Sequence, residues 1–325
     1  MSRYALLFPG QGSQQAGMGR ELAEFSKEAM EFWKLAERVS RLPLREIYWD
    51  GDEAAMSDTR ALQPALAAVC LNLWREAAGR VSPLGAAGHS LGEFCALAAA
   101  GTLEAKTTLE LTALRGRLMA EADPCGKGSM AALLKLDESA VAGIVAEVKA
   151  LGDDMLLIAN YNTPAQFVVS GSKTAVTRAC SLARERGGRG MVLNVGGAFH
   201  SPMMAEASEE FAVALRKATW SRPRFPVYCN VTGRAARDGE SLKENLLAQM
   251  TSPVLWTETI RSQFADGVRR WLELGPKALL GKMVLPCLGD SVSPESVRCD
   301  FADDAEKLHG LFRDVPQNGQ ADDKT

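Results

Sequence analysis

Apolar positions along the chain fall into two rhythms. Short continuous runs bounded by glycine and proline read as buried strands, and longer stretches with apolar residues three and four apart read as amphipathic helices. Tyr4-Ala5-Leu6-Leu7-Phe8 is a run of the first kind, stopped by Pro9-Gly10. Helical rhythm follows over 22–39 and again over 64–76. A second short strand, 84–87, runs into the turn Gly88-His89-Ser90 and then into a helix over 91–100. Gly101 ends that helix where a C-terminal cap glycine belongs. Another helix is expected over 109–122.

The middle of the chain alternates differently: strand 130–136, helix 138–151, strands 155–160 and 166–170, helix 174–186, strand 191–195. The order βαββαβ is that of a ferredoxin-like unit. Strands near Val227 and over 271–274 then return the chain to the style of its first third. The expected fold is therefore α/β. A larger α/β-hydrolase-like catalytic domain with a parallel sheet, 1–126 and 198–313, carries an inserted small ferredoxin-like domain, 127–197. The segment 314–325 (DVPQNGQADDKT) is polar and predicts a disordered tail.

Composition narrows the classes. At 325 residues, 46% of them hydrophobic and 24% charged, the chain can bury a sizeable core and is not of disordered, collagen-like or disulfide-scaffold type. Lys plus Arg at 37 against Asp plus Glu at 40 leaves a net charge of -3, which argues against a global electrostatic grip on nucleic acid or an anionic membrane. The 7 cysteines are scattered, with no C-x-x-C pair to read as a zinc or redox site. A reduced, cytoplasmic compartment is expected. The apolar start is too short for a signal segment, and no stretch approaches the roughly 18 apolar residues of a membrane span.

Gly88-His89-Ser90-Leu91-Gly92 matches G-x-S-x-G between a predicted strand and a predicted helix, the context of a nucleophile elbow. The glycines let the chain reverse sharply, exposing the Ser90 hydroxyl and turning the Leu91 N–H toward any oxyanion formed beside it. Ser90-Leu91-Gly92-Glu93 also fits S-x-x-E, so Ser90 as a simple helix cap is the competing reading.

A serine needs a base, most often histidine, and the chain has 3. His89 adjoins the serine on the turn and is expected to point away from it. His309 lies on a polar helix, where solvated surface is expected. His200 follows Gly196-Gly197 in a loop past a predicted strand, and elimination favours it over a merely structural role.

Arg115 falls inside the stripe of Leu111, Leu114 and Leu118, whereas Arg117 falls outside it. A guanidinium there is costly unless an anion meets it. It reads as an anion clamp, or else as an internal ion pair or a snorkelling arginine. Gly10-Gln11-Gly12-Ser13-Gln14-Gln15 lacks the third glycine of a dinucleotide fingerprint, and no P-loop lysine follows, so nucleotide binding is rejected. Asn230-Val231-Thr232 matches a glycosylation sequon only by chance, since no secretory signal accompanies it.

Several ordered motifs together carry a resemblance. Phe8-Pro9-Gly10-Gln11-Gly12-Ser13-Gln14, Gln63-Pro64-Ala65, Gly88-His89-Ser90-Leu91-Gly92-Glu93-Phe94, Arg115-Gly116, the segment from Asn160 to Gly171, Ala198-Phe199-His200-Ser201-Pro202, Ser252-Pro253-Val254-Leu255-Trp256 and Glu273-Leu274-Gly275-Pro276 resemble the malonyl-CoA:acyl carrier protein transacylases. The resemblance implies Ser90 as the acylated nucleophile, His200 as its base, and Gln11 with the Leu91 amide as the oxyanion hole. It implies Arg115 as holder of the malonyl carboxylate and Gln249 as the residue that orients the histidine. Gln63, Met119 and Asn160 would line the pocket or the carrier channel, and Phe199 would stand against the acyl α-carbon. The family's usual Gly-Pro-Gly-Lys is replaced by Gly275-Pro276-Lys277-Ala278, and Phe94 stands for a common Tyr.

The expected reaction is ping-pong malonyl transfer from malonyl-CoA to the phosphopantetheine thiol of an acyl carrier protein, for fatty acid or polyketide synthesis. No metal or other cofactor is expected, and a monomer is. A serine hydrolase is the enzymatic alternative, against which stand the placement of His200 well before the C-terminus and the absence of a matched acid in an obvious loop between serine and histidine. A non-catalytic carrier-binding module would need neither Ser90 nor His200.

Overall fold

The computed structural model describes residues 2–51, 53–152 and 155–313. The tail predicted over 314–325 lies outside the described residues. Ten strands, β1 (Ser2–Phe8), β2 (Val81–Gly88), β3 (Gly128–Leu134), β4 (Leu156–Thr163), β5 (Gln166–Ser172), β6 (Arg189–Val192), β7 (Val227–Tyr228), β8 (Ala235–Ala236), β9 (Arg270–Leu274) and β10 (Arg298–Ala302), divide between two sheets among the described residues.

The first sheet runs β10-β9-β1-β2-β7-β8, parallel except for β7 with β8. Alternation along β1 explains why it reads as a continuous apolar run. Tyr4, Leu6 and Phe8 enter one core while Ala5 and Leu7 enter another on the opposite face. The second sheet runs β4-β5-β3-β6 and is antiparallel throughout. One face carries Ala131, Leu133, Phe167 and Val169 against the helices Glu138–Ala150 and Lys173–Glu185. Met130 and Val168, on the other face, join the main core.

Some boundaries moved, each for a local reason. The helix expected over 22–39 is two, Arg20–Phe25 and Lys27–Ser40, because Ser26 turns extended and its Oγ accepts the Ala29 N–H at 3.2 Å as a cap. The helix expected from Pro64 starts a turn and a half earlier, at Thr59, where Asp58 accepts the Arg60 N–H at 2.9 Å. Proline therefore sits inside that helix, not at its first position. The strand expected over 191–195 is Arg189–Val192. Sequence periodicity missed β10, an edge strand with Arg298 and Cys299 exposed, which carries too little apolar alternation to announce itself.

Candidate active site

The carboxyl ends of β1 and β2 lie side by side, where Phe8 pairs with Gly88. Here the chain doubles back on itself. A Cβ on Gly88 would lie 1.8 Å from the Gly92 carbonyl carbon, and one on Gly92 would lie 2.0 Å from the Phe8 oxygen. Only glycine permits both approaches. Ser90, between them, has φ +50°. The elbow helix begins at Gly92 with Leu91 as its cap residue, so the Ser90 hydroxyl caps nothing and the capping-box reading fails. Asn230 grips the turn, its Oδ1 accepting the Ser90 N–H at 2.7 Å and its Nδ2 donating to the Gly88 carbonyl at 2.7 Å.

Ser90 Oγ lies 2.8 Å from His200 Nε2. On the other side of the ring, Nδ1 lies 3.0 Å from the carbonyl oxygens of both Gln249 and Ser252. Carbonyls only accept, so Nδ1 carries the proton and Nε2 offers its lone pair to the serine hydroxyl. Burial, and after it the positive charge of Arg115, push His200 down to about 3, which keeps the ring neutral. The other histidines fall elsewhere. His89 Nε2 pairs with Asn162 Oδ1 at 2.8 Å and the ring lies beside Trp256. His309 is only half exposed and meets the Arg80 guanidinium at 3.0 Å, rather than being freely solvated.

Arg115 is 1% exposed. Its guanidinium donates to Ser90 Oγ at 3.1 Å, to Gln249 Oε1 at 3.1 Å and to Gln63 Oε1 at 2.9 Å. Among the described residues no carboxylate forms an ion pair with it, and burial lowers it to about 10, opposed by the charge of Glu93. Neither a snorkelling arginine nor an internal salt bridge fits a buried cation aimed at a hydroxyl.

Around this centre stand the remaining expected residues. Gln63 Nε2 donates to the Met119 sulfur at 3.2 Å. Gly10 packs on the His89 carbonyl, which brings the Pro9-Gly10-Gln11 turn beside the elbow. The Gln11 Nε2 is buried without a partner among the described residues. Nor does the Leu91 N–H, at the elbow helix's start, make a hydrogen bond among the described residues. Phe199 is buried in the main core with its ring against Gly197. Asn160 reaches the area through its backbone, bridging Val254 just past the Gln249 and Ser252 carbonyls. The Gly275-Pro276 loop also abuts the site, since a Cβ on Gly275 would lie 2.3 Å from Pro9. Its backbone is tied down by the Glu273 carboxylate, which accepts from the N–H groups of Leu279, Leu280 and Gly281.

Sequence reasoning passed over Asn230, Ser252, Asn162 and Glu93. Asn230 stood in plain view inside a sequon, but nothing in the chain's local pattern tied it to a turn 140 residues earlier.

Residues 5–311 match the acyl transferase domain family. The chain belongs to that family. It is 36% identical over 294 residues to a malonyl CoA-acyl carrier protein transacylase of Haemophilus influenzae, covering 89% of this chain and 94% of the relative. A Bacillus subtilis protein of the same name is 37% identical, over 87% of this chain and 90% of its own. A malonyl-transacylase solved in complex with a type II PKS acyl-carrier protein superposes with a TM-score of 0.88 at 33% identity, covering 96% of this chain and 99% of that one. The chain is an acyltransferase of the malonyl-CoA:acyl carrier protein transacylase type.

Proposed function

We propose specific roles for the residues around Ser90 in the transfer of malonyl from malonyl-CoA to the phosphopantetheine thiol of an acyl carrier protein. His200 Nε2 takes the Ser90 proton as Oγ attacks the thioester carbonyl. The Leu91 N–H and the Gln11 amide receive the oxyanion. Collapse expels the CoA sulfur, which regains the proton from His200 and leaves malonyl-Ser90. The carrier's thiol then gives its proton to His200 as its sulfur attacks the ester carbonyl; collapse breaks the bond to Ser90 Oγ, which takes the proton back from His200 as the malonyl thioester departs. Two backbone carbonyls stand where a hydrolase places a carboxylate, so the imidazolium formed in each step is oriented by neutral acceptors.

The observation that carries this reading is the environment of one hydroxyl. Ser90 Oγ is met by the lone pair of a neutral histidine and by a buried guanidinium with no carboxylate partner among the described residues. Such a guanidinium suits an acyl group that ends in its own carboxylate. Intact-mass measurement after mixing with malonyl-CoA should show a malonyl adduct, absent in Ser90→Ala and formed several orders of magnitude more slowly in His200→Ala. An adduct on Ser90→Ala at an unchanged rate overturns the nucleophile.

Charge-assisted hydrogen bonds from Arg115 contribute about 1.5–3 kcal/mol each, enough to favour malonyl over acetyl more than tenfold. Arg115→Ala should depress malonyl transfer while sparing acetyl transfer, and Phe199→Ser should admit methylmalonyl without harming malonyl. Comparison of kcat/KM for the three thioesters checks both. Unchanged ratios would put the acyl pocket elsewhere.

The strand order β4-β5-β3-β6 with two helices on one face supports reading 127–197 as a ferredoxin-like insert. The strand–elbow–helix with its serine supports an α/β-hydrolase-like reading of 1–126 and 198–313. No helix of the described residues is long and apolar enough to cross a membrane, and the reading places the enzyme in the cytoplasm as a monomer working without a cofactor.

A further inference from the structure

Glu93 is the one charged residue of the elbow helix, and it is 1% exposed in the helix's first turn. The steps above do not use it. Its Oε2 accepts from Gln249 Nε2 at 2.6 Å and from the Asn230 backbone N–H at 3.3 Å. The Cys229 thiol is the other titratable group against it, and burial and the Glu93 charge push that thiol well up.

What matters is the far end of the Gln249 amide. Nε2 faces Glu93 and also donates to the Ser90 carbonyl at 3.0 Å, while Oε1 faces the Arg115 guanidinium at 3.1 Å. One primary amide thus separates a buried carboxylate from a buried guanidinium. An amide has two ends, and only an acceptor on one side and a donor on the other decide which way it points. Glu93 supplies the charged and nearer acceptor, with the Ser90 carbonyl beside it. The same carboxylate holds Asn230, whose side chain takes the Ser90 N–H, so it steadies the nucleophile's backbone from both sides.

We propose that Glu93 is a positioning residue for malonyl transfer, acting through the Gln249 amide to hold the Arg115 guanidinium where the acyl carboxylate must dock. The proposal rests on Arg115 as the carboxylate holder, and it adds a residue that touches neither substrate nor the reacting atoms. A neutral glutamine at 93 removes the charge-assisted bond at 2.6 Å and leaves only the longer bond to the Ser90 carbonyl to hold that end of the Gln249 amide, so the guanidinium is aimed less firmly. An ionised carboxylate keeps that bond. Burial raises Glu93 to about 7, against the Gln249, Asn230 and Arg115 interactions that lower it.

The test compares Glu93→Gln, Gln249→Ala, their double variant and Arg115→Ala, with malonyl-CoA and acetyl-CoA as probes and thermal melting as a check on folding. Glu93→Gln should lower the malonyl-over-acetyl ratio of kcat/KM about tenfold, the loss expected when a charge-assisted hydrogen bond no longer orients the partner. The double variant should be no worse than Gln249→Ala alone, because Glu93 acts through that amide. A purely structural carboxylate would instead lower both substrates together and add its loss to that of Gln249→Ala, and either result overturns the proposal. If Arg115→Ala leaves the ratio unchanged, the carboxylate-holder reading fails. If Arg115→Ala alters it and Glu93→Gln does not, the fault lies with Glu93 alone. Should Glu93→Gln not fold, Glu93→Asp keeps the charge but withdraws it by one methylene; a partial loss of the ratio supports the proposal and an unchanged ratio overturns it.

Discussion

Ser90 and His200 both hold left-handed backbone angles, φ +50° and +56°, that residues with a Cβ rarely adopt. Such positions cost about 1–2 kcal/mol each and persist only where neighbours over-determine them. Asn230 and Gln249 do so for Ser90 by taking its N–H and donating to its carbonyl. His200 bears a second cost, since a buried neutral ring forgoes the proton it would bind once unfolded. Its folded value, near 3, lies below the ordinary histidine value of 6.5. The unfolded chain therefore binds more protons as pH falls below 6.5, and stability drains away from there down to about 3. Replacing the ring by a neutral side chain, as in His200→Gln, should flatten that acid limb by up to about 1.4 kcal/mol per pH unit. Melting curves of both proteins between pH 4 and 8 read the difference directly, and parallel profiles would contradict a neutral buried ring.

At the scale of the element, the elbow was legible because its demands are local. A G-x-S-x-G between an apolar strand and a helix announces a sharp reversal, and the close approaches at Gly88 and Gly92 explain both glycines. Gly92→Ala would drive a Cβ into the Phe8 carbonyl, rigid backbone that cannot swing aside. The variant should lose about 3 kcal/mol or more in denaturant unfolding, at the upper end of overpacking, and its malonyl-serine formation should collapse in step. Near-normal stability would mean that β1 and the elbow can part cheaply. Less local elements were misjudged. Ser26 breaks a helix that its apolar rhythm joins, because a hydroxyl cap competes with helix continuation, and β10 escapes notice because an edge strand needs only one buried face.

Across the whole molecule, the two sheets are bound together at the site itself. The small sheet lends Met130 and Val168 to the main core, and β4 pairs its backbone with Val254, beyond the carbonyls that orient His200. Asn162, also on β4, receives the turn's own His89. Asn162→Ala should leave that buried ring unpaired and lower unfolding stability by about 1–3 kcal/mol. A denaturant midpoint equal to wild type would mean this link holds nothing between the layers. The residues proposed to perform the chemistry were visible in the chain because their neighbours are unusual: a serine between two glycines, an arginine in an apolar stripe, a histidine in a glycine-bearing loop. For these, backbone sterics and the cost of burying a charge act over a few residues and leave a readable pattern. The residues that aim them were not visible. Glu93 read as the acid of a capping box, Asn230 as a chance sequon and Ser252 as one residue of a motif with no role of its own, since a hydrogen bond across 140 or 156 residues leaves no periodicity behind. Only the tertiary packing that brings the segments after β7 and around Gln249 and Ser252 onto the elbow decided which carbonyls and amides meet Ser90 and His200, and which carboxylate backs them.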